Sequence, residues 1–337
     1  MKEAYLYKKL EDDRVRCFLC NHRCLIKSGR RGLCGVRENR SGTLVSLVYG
    51  KLIAGHVDPI EKKPLFHYLP GTRSYSIATV GCNFTCRFCQ NADISQMPAD
   101  QGRIMGQETS PEQIIADAVA GRSATIAYTY TEPTIYFEFA VDTARIAVKR
   151  GIKNVFVSNG YMSPECLQEI FPDLHAANVD LKAFSETFYK EQCGAKLAPV
   201  LKTLEIMNEM DIWLEVTTLL IPGLNDSSEE LRQIAQFLAD LNPDIPWHIS
   251  RFHPTYHLTH IPPTPPERIR RARDIGYESG LKYVYTGNLP GDLGEKTFCH
   301  ACGELLIDRV GFSVTQNNIK DNSCPKCGEI IPGVWHD

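Results

Sequence analysis

Between about Ser74 and Tyr285, short apolar runs rich in β-branched and aromatic residues alternate with longer segments of helical period. The runs are YSIATV (75–80), TIAYTY (125–130), NVFVS (154–158), AANVDL (176–181), WLEVTTLLI (213–221), WHISRF (247–252) and YVY (283–285). They predict strands. Between them SPEQIIADAVAG, TIYFEFAVDTARIAVKRG, SPECLQEIF, LAPVLKTLEIMNEM, SSEELRQIAQFLADL and PPERIRRARDIGYESG predict helices. Ser110-Pro111-Glu112 and Ser227-Ser228-Glu229 are the clearest start signals: a side-chain oxygen to cap, then an acid in the first turn.

Regular strand–helix alternation predicts an α/β fold with parallel strands and helices outside. Unusual polar residues fall where strands end: Cys82, Thr131-Glu132-Pro133, Asn159-Gly160, Asp180 and Lys182, Pro222-Gly223, and His253. Chemistry spread over the C-terminal ends of successive strands favours a barrel, incomplete at six or seven units, over an open sheet with one switch point.

Composition narrows the class. Of 337 residues, 43% are hydrophobic and 23% charged, ordinary for a globular chain. The net charge of −3 gives no general attraction for nucleic acid or an anionic membrane. No apolar run is long enough to span a bilayer, and MKEAYLYKKLEDDRVR is too charged for a secretory signal, so the expected location is cytoplasmic. Thirteen cysteines stand out, and in a reducing compartment they point to metal or redox chemistry. Eleven fall in three groups; Cys166 and Cys193 stand alone and read as buried, inert thiols.

The central group lies in TVGCNFTCRFCQN (79–91), with Cys82, Cys86 and Cys89 just after a predicted strand. Three thiolates leave a four-ligand site one short. Either a distant His or Asp completes a zinc site, or the cysteines hold three corners of a 4Fe–4S cluster whose fourth iron stays open. The position after a strand, with Gly81 for a tight turn, favours the cluster.

CNFTCRFC resembles the CxxxCxφC signature of the radical S-adenosylmethionine superfamily, with Phe88 as the aromatic residue. YTYTEP (128–133) occupies the place of the GGEP-type segment of pyruvate formate-lyase activating enzymes. VDLK (179–182), IPGLND (221–226) and RFHP (251–254) are similar to further activase segments. A narrower likeness, to the radical enzymes of the AmmeMemoRadiSam system, includes the N-terminal cysteine spacing, GLCGVREN, YTYTEPT and IPGVW.

The resemblance implies a partial (β/α)6-type TIM barrel and an oxidoreductase. Cys82, Cys86 and Cys89 would hold a 4Fe–4S cluster whose open iron takes the amino and carboxylate groups of S-adenosylmethionine. Reductive cleavage would give a 5′-deoxyadenosyl radical that abstracts hydrogen from a protein or small-molecule substrate. Phe88, Thr131, Glu132, Ser158, Asn159, Asp180, Lys182 and His253 would contact the cofactor. Implied partners are a flavodoxin or ferredoxin as electron donor, and AMMECR-type and Memo-type proteins.

Two cysteine groups flank this region. Cys299-His-Ala-Cys302 and Cys324-Pro-Lys-Cys327, each followed by glycine, bracket two short predicted strands and read as a zinc ribbon. Cys17, Cys20, Cys24 and Cys34 suffice for zinc or an auxiliary iron–sulfur cluster; zinc is preferred, with His22 a substitute ligand. The expected organisation is a Cys-rich segment (1–65), a barrel (66–290) and a ribbon (291–337). Arg268, Arg270, Arg271 and Arg273 read as a solvated helix face. The competing functions are an RNA-modifying radical enzyme gripping nucleic acid through the ribbon, and a non-catalytic zinc-binding scaffold.

Overall fold

All seven β-rich runs become parallel neighbours in one sheet, in chain order. The computed structural model describes residues 1–336. An edge strand, β1 (Ala54–Pro59), precedes them and runs antiparallel to β2 (Arg73–Ala78), with Ala54 opposite Ala78. The others are β3 (Thr125–Tyr128), β4 (Lys153–Ser158), β5 (Ala176–Asp180), β6 (Trp213–Leu220), β7 (Trp247–Arg251) and β8 (Val284–Gly287). Strands β1 and β8 are the two edges, so the sheet is open.

Six helices supply the crossovers: α1 (Pro111–Ala120), α2 (Phe137–Lys149), α3 (Pro164–Ile170), α4 (Leu197–Glu209), α5 (Ser228–Leu241) and α6 (Pro266–Glu278). The expected caps form: Ser110 Oγ accepts from Gln113 N at 3.3 Å and Ser227 Oγ from Glu230 N at 3.2 Å. The inner strands are buried at almost every position, as helix-covered parallel strands require. Because the strands are parallel, every loop leaving a strand for its helix emerges at the same end of the sheet.

The N-terminal region adds two small antiparallel sheets, and its Val15, Leu19, Ile26, Val36 and Leu44 join the main core. After β8 come β9 (Thr297–Phe298), β10 (Leu305–Val310) and β11 (Ser313–Asn317), an antiparallel sheet. Leu306, Ile307 and Trp335 pack with Phe66, Tyr283 and Tyr285. Under that contact Glu215 of β6 accepts from Phe66 N, His67 N, Trp213 Nε1 and His248 Nε2. The polar groups buried here are therefore largely paired. Among the described residues no helix is long and apolar enough to cross a membrane.

Candidate functional site

The chain leaves β2 and turns at Gly81, whose φ of +105° favours glycine. A side chain there would also collide with Val36, since a Cβ would sit 2.6 Å from Val36 Cγ1. The cysteine loop that follows is held from several sides. Thr85 N donates to Cys193 O (2.9 Å), Arg87 N to Gln192 O (3.0 Å), Gln96 Nε2 to Phe84 O (3.0 Å) and His257 N to Arg87 O (2.9 Å). His22 Nε2 lies 2.7 Å from Asn83 O.

The sulfurs have donors of their own. Phe84 N donates to Cys82 Sγ at 3.4 Å, and Asn159 Nδ2 approaches the same sulfur at 3.8 Å. Cys89 Sγ is 3.2 Å from Ser95 Oγ. Burial pushes the Cys82 and Cys89 thiols up. Cys86 goes down, through its hydrogen bond with the Cys193 thiol against burial, with help from the Lys182 charge. Thiolates are the form that binds metal, so donors and a nearby cation suit that use.

Polar groups from the next strand ends reach this loop. Asn159, after β4, donates from Nδ2 to Asn83 Oδ1 at 2.7 Å. Thr131 Oγ1 donates to Thr79 O at 2.9 Å, and Asn91 Nδ2 to Tyr130 O at 2.7 Å. Lys182 Nζ pairs with Asp180 at 2.7 Å and lies 5.8 Å from the centre of the buried Phe88 ring. Burial works against the Lys182 charge, but Asp180 and the Cys86 and Cys193 thiols outweigh it.

Glu132 and Ser158 are fully buried and bonded to each other. Glu132 accepts from Ser158 Oγ (2.9 Å), Asn159 N (2.8 Å) and Thr134 N (3.0 Å). This fixes the two strand ends relative to one another, and nothing in these bonds is directed at a ligand. His253 is exposed past the end of β7 and makes no hydrogen bond to another described residue. Its segment returns to the loop through His257 N.

Asn83, Gln96 and Cys193 also belong to the site, although no motif in the sequence marks them. Cys193 is buried as expected, but its thiol faces Cys86. Only contact across 107 positions brings these two together, and no local pattern announces it. His22, expected as a substitute metal ligand, instead bonds Asn83 O.

At the C-terminus Cys299, Cys302, Cys324 and Cys327 place their sulfurs within 4.8 Å of one another, a group that could hold a metal ion. Cys299 and Cys327 are 3.6 Å apart, Cys302 and Cys324 3.7 Å. A single tetrahedral ion with sulfur at 2.3 Å sets sulfurs about 3.8 Å apart, so the match is close. His300 stands outside the group, bonded to Tyr283 OH at 2.9 Å. The α6 arginines have intramolecular partners: Arg268 with Asp226, Arg270 with Asp292, Arg271 with Glu278, and Arg273 with Val284 O.

A parallel α/β sheet with three cysteines looped past one strand end, and neighbouring strand ends hydrogen-bonded to that loop, defines an α/β protein with a candidate metal-cofactor site at the ends of its strands. Residues 76–238 match the Radical SAM superfamily. The uncharacterized protein MJ0808 of Methanocaldococcus jannaschii is 46% identical, over 98% of this chain and 99% of its own. The pyruvate formate-lyase-activating enzyme of Streptococcus mutans is 20% identical, over 61% of this chain and 85% of its own. The structure of Streptococcus suis SuiB bound to S-adenosylmethionine is similar in fold, with a TM-score of 0.53 at 14% identity over 72% of this chain and 56% of SuiB. The chain carries a Radical SAM domain over residues 76–238, and that family implies S-adenosylmethionine and a 4Fe–4S cluster as cofactors.

The residues present fit that cluster. Three cysteines share one loop, two of their sulfurs have hydrogen-bond donors from the protein backbone or a hydroxyl, and the buried Asn83 Nδ2 beside Cys82 has no partner among the described residues.

Proposed function

We propose that this chain is an activase-like radical S-adenosylmethionine enzyme, with Cys82, Cys86 and Cys89 as the ligands of its 4Fe–4S cluster. The observation that carries this reading is the convergence of the strand ends after β3, β4 and β5 on the loop after β2. When bound, the cluster and S-adenosylmethionine together supply reductive cleavage to methionine and a 5′-deoxyadenosyl radical, which takes a hydrogen atom from the substrate.

The protein's part is to orient and to shield. Asn159 steadies the loop through Asn83, while Glu132 fixes Ser158 and Asn159 from beneath. Thr131, Asp180, Lys182 and Phe88 would contact the bound cofactor, and His253, exposed past β7, would turn toward its adenosyl moiety. In this reading the sheet serves as a partial barrel over residues 66–290, residues 1–65 form a metal-binding segment, and residues 291–337 form a zinc ribbon. The ribbon's close four-sulfur spacing supports zinc.

The named activase relative supports a protein substrate, and the sequence likeness to the AmmeMemoRadiSam radical enzymes makes AMMECR-type and Memo-type proteins the partners to try first. A flavodoxin or ferredoxin would deliver the electron. The paired arginines of α6 weigh against a nucleic-acid grip on that helix. The test is anaerobic reconstitution followed by reduction with S-adenosylmethionine. Formation of 5′-deoxyadenosine that disappears in the Cys82/Cys86/Cys89→Ala variant supports the reading; a colourless, zinc-only protein without cleavage overturns it.

A further inference from the structure

Cys17, Cys20, Cys24 and Cys34 lie apart in sequence from the cysteine loop but are packed against it. His22, between Cys20 and Cys24, bonds Asn83 O, next to Cys82. Cys20 bridges to Met162, and Asn21 N donates to Tyr161 O at 3.0 Å, just beyond Asn159. A Cβ on Gly81 would lie 3.2 Å from Cys34 O. These four cysteines therefore stand at the same end of the sheet as the proposed cluster.

The four thiols form one neighbourhood. Cys17 N donates to Cys24 O at 2.9 Å. Cys17, Cys24 and Cys34 all lie within electrostatic reach of the Cys20 thiol, as Cys17 and Cys24 do of the Cys34 thiol. A buried cation faces the group. Arg37 is 1% exposed, donates from Nη1 to Cys17 Sγ at 3.2 Å and pairs with Glu138, while its Nε has no partner among the described residues.

Spacing separates this group from the C-terminal one. Among the described residues, Cys299, Cys302, Cys324 and Cys327 form the one set of three or more ligating side chains gathered closely enough to hold a single ion, with their sulfurs within 4.8 Å of one another. They sit on two matching turns, with Cys299 N donating to Glu304 O and Cys324 N to Glu329 O, each at 2.8 Å. The N-terminal cysteines have no such repeated turn, and neither they nor Cys82, Cys86 and Cys89 are among the sets gathered for a single ion. A single ion draws four sulfurs together on one centre. A cubane gives each thiolate its own iron and spreads them.

We propose that Cys17, Cys20, Cys24 and Cys34 ligate a second 4Fe–4S cluster beside the radical cluster, with Arg37 hydrogen-bonding the Cys17 sulfur. This replaces zinc, the metal preferred from sequence. With four protein thiolates the second cluster has no open iron, so it can exchange single electrons or brace the loop but cannot bind S-adenosylmethionine. The buried Arg37 charge offsets part of the cluster's negative charge and is a lever on its potential. The assignment rests on the proposed function only for the identity of its neighbour.

Full-length protein reconstituted anaerobically with iron and sulfide should hold about eight of each per chain, two cubanes' worth. The Cys82/Cys86/Cys89→Ala variant should keep about four iron and the Mössbauer signature of a 4Fe–4S cluster. Cys20→Ala/Cys24→Ala should lose the other four. Two bound zinc ions with about four iron in the native chain, or an iron-free triple variant, would overturn the second cluster. Iron lost only from the Cys20/Cys24 variant would support it and overturn the first. The triple variant decides the matter even where Cys20→Ala/Cys24→Ala does not fold.

Discussion

Asn159 Nδ2 donates to Asn83 Oδ1 across 2.7 Å and so ties the end of β4 to the loop that carries Cys82, Cys86 and Cys89. Both side chains are buried, and Asn83 Nδ2 has no partner among the described residues. Asn159→Ala leaves the Asn83 side-chain amide with only the long 3.9 Å contact from Cys82 Sγ to its Oδ1, which costs about 1–3 kcal/mol. The urea midpoint should fall accordingly, and 5′-deoxyadenosine formation should drop about tenfold, the equivalent of roughly 1.4 kcal/mol. Asn159→Asp should recover part of both, because the Asn83 amide can turn and donate. An unchanged midpoint and rate in Asn159→Ala would remove this bond from the site.

His67 gives the fold a pH dependence away from the cysteine loop. Its ring nitrogens lie 2.7 Å from Pro332 O and 2.5 Å from Tyr285 OH, and burial lowers its pKa from the ordinary 6.5 to about 4, with Glu215 acting in opposition. Above pH 6.5 both folded and unfolded chains hold it neutral, so it contributes nothing to the slope. As pH falls through 6.5 the unfolded chain takes up a proton that the folded chain refuses, and stability is lost until about pH 4. The loss is about 3 kcal/mol at most. Urea midpoints between pH 7 and 4.5 should fall steeply in the native chain and less in His67→Gln. Fluorescence of Trp335, whose ring centre is 5.0 Å from that of His67, reports the same region.

The strands and the cysteine loop were legible because they depend on local pattern. The seven apolar runs differ from the observed strands by only a few residues at their ends, and Ser110 and Ser227 cap where their chemistry requires. Strand β1 was not legible: AGHVDP has neither alternation nor a β-branched run, and only pairing with β2 makes it a strand. Asp180 and Lys182 stand out in sequence at a strand end; Asp180 closes β5, Lys182 lies two residues past it, and the two pair at 2.7 Å. Cys193 and Asn83 were missed because their importance comes from contacts remote in sequence. Glu132 and Ser158 were found for their position, but their bonds to each other give them a framing role.

The C-terminal cysteines predict a metal-dependent unit whose loss spreads into the main fold. Tyr283 next to β8 bonds His300 inside the first cysteine turn, and Trp335 Nε1 donates to Ile331 O at 2.8 Å within the same packed cluster. Structural zinc bound by thiolates contributes about 10 kcal/mol or more to such a unit. Cys324→Ser should lose one equivalent of metal, lower the unfolding midpoint and expose Trp335, while iron at the cysteine loop is retained. Elemental analysis with tryptophan emission checks both. Full metal content in Cys324→Ser would show that the four cysteines are not one site.

Gly81 is the point at which the N-terminal segment and the cysteine loop meet, and it separates two kinds of strain. At φ +105° any side chain costs conformational energy, and an alanine Cβ would also lie 2.6 Å from Val36 Cγ1 and 3.2 Å from Cys34 O. Gly151 has φ +73° with nothing within 4 Å, so Gly151→Ala meets only the first penalty. That control should lower stability by about 1 kcal/mol and leave iron untouched. Gly81→Ala should cost about 1–3 kcal/mol more and lose iron from the loop, because Cys82 is its immediate neighbour. Adding Val36→Ala removes the closest clashing atom and should restore part of the iron while the backbone penalty remains. If Gly81→Ala and Gly151→Ala bind iron equally, the N-terminal segment does not support the loop through this contact.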